Sequence, residues 1–287
     1  MKTKLLALFL VLSLLLTAFA SCSGCQDDEP TGDKGDGTST DDTNTDGTNT
    51  ENGANKDDSD KAPAKPAELI YTLNAAGDAY TLTDVKINDS LNLTIAKVYA
   101  DKPVTAIAPG VLAGCQSLKV LTIPDSIKTI GENAFSRCPS LETLNIGYGV
   151  ESIGAYAFFG CTGLRTITVH TANPVYEEEY GSVIEKATDK LIFCTNNMII
   201  PNDGSVTVIG DGAFAFYPVG VITIPAAVKT LGKDLFYGCP YISTFNYEGT
   251  KAEWQALTKD PAWNREAPTI TVICSDGNLT ETYAPGE

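Results

Sequence analysis

From Val104 to Tyr247 apolar residues return at a fixed interval. Ile107, Ile130 and Ile153 stand 23 residues apart, as do Leu112, Phe135 and Phe158, and as do Cys115, Cys138 and Cys161. Three ladders in one register imply coils that bury their apolar side only against neighbouring coils. In the coil spanning 127–146, Ile127 and Ile130 point inward. Gly131 marks a turn of positive φ or a close approach that leaves no room for a Cβ, and Gly154, Gly210 and Gly232 repeat it. Residues 133–138 read as one short helical turn with Phe135 in the core. Leu144-Asn145-Ile146 then alternates apolar and polar, the period of a half-buried strand. Leu121-Thr122-Ile123, Ile167-Thr168-Val169, Ile222-Thr223-Ile224 and Phe245-Asn246-Tyr247 repeat that triplet, and stacking places them in one parallel sheet. The predicted fold is a β-rich solenoid of about 23 residues per coil, a parallel sheet with short helical turns. Phe214, Phe236 and Cys239 extend the aromatic and thiol ladders.

Ile153 and Ile209 are 56 residues apart, two repeats of 23 plus ten, so one coil, at about 170–203, is enlarged. Within it Ser182-Val183-Ile184 and Leu191-Ile192-Phe193 flank Ala187-Thr188-Asp189 as a hairpin projecting from the stack, and Met198-Ile199-Ile200-Pro201 restores the strand position. Six coils are expected over 104–247, in a stack roughly 25 to 30 Å long at the usual strand spacing. Open solenoid ends expose backbone and core, so distinctive terminal units are needed. Residues 67–103 supply an N-terminal β cap, in which two strands bracket Ala75-Ala76-Gly77-Asp78. Residues 248–287 supply a C-terminal helix and strand cap. There Thr250-Lys251-Ala252-Glu253 is a capping box opening a short helix with Trp254 and Leu257, followed by Trp263 and the alternating strand 269–273.

The signature Ile130-Gly131-Glu132-Asn133-Ala134-Phe135, the spacing to Cys138 and Leu141, and Leu121-Thr122-Ile123-Pro124 resemble the BspA-like leucine-rich repeat family of bacterial surface proteins. The ends are similar too: Tyr247-Glu248-Gly249-Thr250-Lys251-Ala252-Glu253-Trp254, Trp263-Asn264 and Cys274-Ser275-Asp276-Gly277 resemble the family's closing unit. Tyr80-Thr81-Leu82-Thr83 and the run 102–107 resemble its opening one. The likeness covers about 69–277 and departs at Leu112, where Phe is usual, and at Tyr217, which replaces a ladder cysteine. It implies a non-catalytic leucine-rich repeat protein engaged in adhesion or protein interaction.

Ahead of the repeats, Lys2 and Lys4 precede the apolar run 5–16, and small residues follow, the organisation of a secretory signal over 1–21. That run is too short to span a bilayer, which takes roughly twenty residues. Phe19-Ala20-Ser21-Cys22 resembles a bacterial lipoprotein cleavage box, which makes Cys22 the expected lipid anchor and Cys25 the alternative. The acidic run from Gln26 to Glu29 resembles a mark for export to the cell surface, so the expected place is the outer membrane, facing outward. Residues 22–66 are almost devoid of apolar side chains and rich in Asp, Thr, Gly and Asn, a composition that predicts a lipidated, disordered acidic tether. A flexible chain of that length spans on the order of 35 Å. The formal net charge of -16 and the lack of a basic stripe argue against nucleic acid and against an anionic lipid surface, leaving the N-terminal lipid as the membrane contact.

Chemistry is sparse. Cys115, Cys138, Cys161 and Cys239 sit at equivalent positions of successive coils, as buried apolar thiols do, and a zinc site needs converging ligands that this spacing does not supply. His170 is the sole histidine, which removes most routes to general-base catalysis. Glu177-Glu178-Glu179 lacks the spaced ligands and glycine loop of a calcium site. No metal, cofactor or catalytic residue is expected. Asp89-Ser90-Leu91 and Asp125-Ser126-Ile127 resemble an O-glycosylation acceptor of some bacterial surface proteins.

The remaining candidate is a surface. Val120, Thr143, Thr166 and Val221 form one outward row, and Thr122, Asn145, Thr168, Thr223 and Asn246 the next. A flat face of hydroxyls, amides and methyls suits an extended protein partner, although threonine also simply favours strands. The enlarged coil, with Tyr176 and Tyr180, is a second contact region. Stacking of a glycan on Trp254, Trp263 and Tyr176 is the alternative, one that buried tryptophans would remove.

Overall fold

The computed structural model describes residues 67–86, 92–197, 199–218, 220–239, 241–265, 267 and 269–283, all within one compact unit. The expected signal, the tether, Cys22, Cys25, Asp89-Ser90-Leu91 and Met198 lie outside them. The described chain opens with β1 (Glu68–Leu73), β2 (Tyr80–Lys86), β3 (Asn92–Thr94), β4 (Val98–Tyr99) and β5 (Lys102–Ile107). Regular coils bring β6 (Val120–Ile123), β7 (Thr129–Ile130), β8 (Thr143–Ile146), β9 (Ser152–Ile153) and β10 (Thr166–Val169). The enlarged coil carries β11 (Tyr176–Glu179), β12 (Ser182–Glu185) and β13 (Lys190–Cys194). Then come β14 (Val208–Ile209), β15 (Thr223–Ile224), β16 (Thr230–Leu231) and β17 (Thr244–Tyr247). Helix α1 (Lys251–Ala256), β18 (Thr258–Lys259), β19 (Thr269–Cys274) and β20 (Gly277–Thr282) close the chain.

Each coil passes through two sheets and a layer of turns. The expected triplets form a front sheet, but in two pieces: β10-β8-β6-β3 and β15-β17-β19-β20. A back sheet, which the triplet pattern did not reveal, runs β1-β2-β5-β7-β9 and then β11-β12-β13-β14-β16-β18. Its register sets Leu82, Ile107, Ile130 and Ile153 side by side, then Leu191, Ile209 and Leu231. Counting β2, β5, β7, β9, β13, β14, β16 and β18 gives about eight turns, the six expected over 104–247 and one more at each end. The two added turns come from the caps, whose strands β2, β3, β18 and β19 pair in parallel with the stack and extend it.

The glycine at the start of each turn segment follows from close approach. Gly154 has no positive φ, yet a Cβ there would lie 2.5 Å from the Glu132 nitrogen of the preceding coil, closer than any side chain tolerates. The segment after it is not a helical turn. Asn133 and Arg137 have φ of 54° and 55°, and Asp234 and Gly238 repeat the pair at 57° and 67°. Left-handed residues four apart end any helix, and they aim alternate N–H groups along the stack instead.

The hairpin of the enlarged coil does not project. β12 and β13 pair antiparallel, and β13 joins β14 in parallel as a rung of the back sheet. Val183 and Phe193, which face each other across the hairpin, pack into the core of the first half; Ile184, Leu191 and Cys194 pack into that of the second. The hairpin is thus buried on both faces, a wall between two apolar cores, and continuous β-branched and aromatic residues suit that position. The stretch at 199–200 forms no strand: Ile200 is buried and Ile199 exposed. The front sheet is interrupted there because the chain is drawn inward to cross the core.

Both ends are closed by apolar side chains. At the C-terminus Thr250 and Glu253 form the expected capping box, and Trp254 and Trp263, 5.7 Å apart, cover Phe245. The hairpin partner β20 was not anticipated, though Ser275-Asp276-Gly277 is a turn signal and Gly277 has φ of 123°.

Candidate protein-binding face

The front sheet of the first half is built by register. Asn92, Val120, Thr143 and Thr166 align in one row, and Thr94, Thr122, Asn145 and Thr168 in the next. Leu93, Leu121, Leu144 and Ile167 between these rows are buried, and strand alternation turns the rows outward. The amide of Asn145 donates to Thr122 Oγ1 at 3.3 Å, fixing one cross-strand pair. Charge is confined to the borders. Lys119, Glu142 and Arg165 precede the rows in the sequence, with Lys119 and Glu142 3.8 Å apart. On the far side Lys97 pairs with Asp125 at 3.4 Å, and Tyr148 meets His170 edge-on at 6.0 Å. The Tyr148 N–H donates to Asp125 at 2.9 Å, and that bond, with Lys97 beside it, holds the carboxyl below its ordinary pKa.

Between the outward rows and this far border runs a groove of about 340 Å³, with Ile95, Ile123, Pro124, Ile146 and Gly147 in its lining and Lys97, Asp125 and His170 at its edge. Its floor depends on Gly147, where a Cβ would stand 2.6 Å from the Pro124 carbonyl carbon. A neutral face of methyls, hydroxyls and amides, with a largely apolar groove beside it bordered by Lys97 and Asp125, suits an extended chain or a flat protein surface.

Six of the expected face residues therefore come together: Val120, Thr122, Thr143, Asn145, Thr166 and Thr168. Thr223 and Asn246 lie in the separate second sheet, where Asn246 again bonds the facing threonine, at 3.4 Å, and Ile273 continues the row. Sequence reasoning missed Lys97, Asp125, Tyr148 and His170 at the groove. Asp125 and Tyr148 are 23 residues apart, so carrying the repeat register two positions past each strand finds them.

Several expected contacts turn out to be interior. Tyr176 is buried, its hydroxyl accepting the Ile153 N–H at 3.0 Å, and Trp254 and Trp263 are buried in the cap. The aromatic platform expected for a glycan does not form; of its motivating region, Tyr180 is exposed. Ser126 Oγ is buried, which removes it as an accessible glycosylation acceptor. Glu178 and Glu179 are spent locally, accepting from the Gly181 N–H and the Ser205 hydroxyl at 2.7 and 3.1 Å. Among the described residues no group of three or more His, Cys, Asp or Glu is placed to hold a metal. No helix among them is long and apolar enough to cross a membrane.

Phe135, Phe158, Phe214 and Phe236 are buried, with Cys138, Cys161 and Cys239, while Cys115 is half-buried. The thiols have a bonding role beyond filling space. Cys138, Cys161 and Cys239 donate to the carbonyls of Leu112, Phe135 and Phe214 in the preceding coil, at 3.2, 3.2 and 3.1 Å. Burial pushes Cys194 up to about 12 and Cys239 up to about 11; the contact with the Cys138 thiol, together with burial, raises Cys161 well above its ordinary value. Such thiols are poor nucleophiles.

The model for the BspA type leucine rich repeat region matches residues 84–180 and 184–256, in six copies. Among solved structures, a leucine-rich repeat protein from T. pallidum is similar at 21% identity over 62% of this chain and 68% of its own, with a TM-score of 0.38. One from Eubacterium ventriosum is similar at 20% identity over 55% of this chain and 54% of its own, with a TM-score of 0.42. One from Bacteroides ovatus is 18% identical over 73% of this chain and 70% of its own, with a TM-score of 0.27. Comparison with curated proteins gives no match.

Proposed function

The chain belongs to the BspA-type leucine-rich repeat family, and on that premise we propose that it is a lipid-anchored surface protein of the outer membrane whose front face binds a protein partner in adhesion or assembly. Leucine-rich repeat solenoids of such families are generally binding scaffolds without catalysis. The observation that carries the reading is the arrangement of Val120, Thr143, Thr166, Thr122, Asn145 and Thr168 as an uncharged face between charged borders, beside an apolar groove. The anchor rests on the leader, where Cys22 follows a small residue after an apolar run.

Two long cations on the face would stand where a partner packs. The double variant Thr143→Arg with Thr166→Arg is therefore expected to lose at least about 90% of the partner retained by the wild-type protein from host-matrix or envelope extracts, more than 1.4 kcal/mol in affinity. Its melting temperature should hold, since surface changes cost within about 0.5 kcal/mol. Equal retention by a folded variant would exclude this face. Separately, Cys22→Ala should abolish incorporation of labelled fatty acid in cells; label that persists moves the anchor to Cys25.

A further inference from the structure

In the turn layer, alternate N–H groups of one coil donate to carbonyls of the next. Gly110, Leu112 and Gly114 reach Glu132, Ala134 and Ser136, and Asn133, Phe135 and Arg137 reach Ala155, Ala157 and Phe159. After the enlarged coil the pattern resumes, with Gly212 and Phe216 reaching Lys233 and Tyr237. Between 154–160 and 210–216 no such bond forms among the described residues. Among the described residues the enlarged coil contributes β11, β12 and β13 and only short turns that make no backbone bond to 154–160 or 211–216, so one row of the layer is missing. The N–H groups of Tyr156, Phe158 and Gly160 occupy donor positions on one wall, and the carbonyls of Asp211, Ala213 and Ala215 occupy acceptor positions on the other. Ala213 O meets the Cys194 thiol, at a long 3.9 Å.

A cavity of about 150 Å³ lies between the walls, lined also by Lys190, Ile192 and Phe193. That is the room of a benzene-sized group, about six non-hydrogen atoms, enough for one peptide unit, with the charged ends of a dipeptide left at the mouth. Tyr156 and Phe159 narrow it: a Cβ on Gly212 would come within 2.9 Å of the Tyr156 ring. Charge of both signs borders it. Lys190 forms no ion pair among the described residues, and Asp211 uses Oδ1 to accept the Lys233 N–H at 2.8 Å, leaving its second oxygen for a cation.

We propose that this slot binds a short zwitterionic peptide, of dipeptide size and extended, whose main chain takes the place of the missing row. Its carbonyls accept from the Tyr156 and Phe158 N–H groups and its own N–H donates to a carbonyl of the opposite wall. Its carboxylate meets Lys190 and its ammonium Asp211. Main-chain recognition of this kind is sequence-tolerant, as when an extended strand completes an open edge.

The test is amide NMR of the folded full chain titrated with L-alanyl-L-alanine and, in parallel, with the same dipeptide N-acetylated and C-amidated. Saturable shifts are expected at the amides of Tyr156, Phe158 and Gly160, with about tenfold weaker binding of the blocked form and in Lys190→Ala. Ile192→Trp, which fills the cavity, should abolish them. No shift at millimolar dipeptide in a folded spectrum means the slot holds water only and overturns the proposal. So do shifts that Lys190→Ala and a folded Ile192→Trp leave unchanged, or equal binding of the blocked form.

Discussion

In the first half of the stack Phe135 lies on Phe158 at 5.3 Å, and the thiols of Cys138 and Cys161 each reach the preceding coil at 3.2 Å. In the second half Phe214 and Phe236 are 5.9 Å apart, and the aromatic column bends through Phe245 into two tryptophans. Between them Phe193 takes the Phe ladder across the enlarged coil, 4.5 Å from Phe158. Tyr217, where a ladder thiol is expected, extends its hydroxyl to donate to the Cys194 carbonyl at 2.6 Å, with the Cys161 carbonyl at 3.5 Å. A longer side chain thus spans an offset that a thiol cannot. A solenoid therefore tolerates an oversized coil when aromatic side chains from both neighbours continue the column and a longer side chain reaches the Cys194 carbonyl.

The sharpest break of that comparison is Phe135→Ala, which removes a fully buried ring from the stricter half. A loss of about 3 to 5 kcal/mol is expected. Amide exchange should accelerate more in 104–169 than in 206–272 if the two cores are semi-independent. An unchanged melting temperature, or equal acceleration throughout, contradicts the two-core reading.

A smaller effect is expected at the seam. Tyr217→Phe keeps the ring and deletes the bridging hydroxyl, leaving the buried Cys194 carbonyl without that donor. The cost should be about 1 to 3 kcal/mol, read as a shift in urea midpoint at constant m. No shift would mean that Tyr217 acts through packing alone.

The gentlest probe is pH. Cys194 and Cys239, raised to about 12 and about 11 by burial, stay protonated in the fold while an unfolded thiol ionises near pH 8.5. The folded state then binds more protons than the unfolded one, so their contribution is whole below pH 8.5 and is lost as pH rises towards 11. The slope is up to about 1.4 kcal/mol per unit for each thiol. Thermal melts between pH 7 and 10.5 should fall accordingly, and replacing both residues by alanine should make the decline shallower, leaving the share of Cys161. A wild-type melting temperature level across that range would refute the assignment.

The 23-residue period located the front strands, the aromatic and thiol ladders and the rows of the face, because each is set by which side chain recurs at one angle of the coil. It mistook the enlarged coil for a projection. Ser182-Val183-Ile184 and Leu191-Ile192-Phe193 look the same in sequence whether exposed on one face or buried on both, and only burial on both faces made them a wall. The alternative glycan reading needed Tyr176, Trp254 and Trp263 at the surface, and all three are interior. Aromatic side chains carry no sign of direction where the period lapses.

By itself, then, the amino-acid order determined that this chain coils, how long each coil is and which positions are dry, since periodic hydrophobicity has one geometry that buries it. Tertiary structure alone decided where the irregular segment goes. Once its strands crossed between two cores, the front sheet was divided, Thr223 and Asn246 were parted from the main face, and a row was left out of the turn layer. Those outcomes depend on contacts between residues far apart in the chain, where no local pattern reaches.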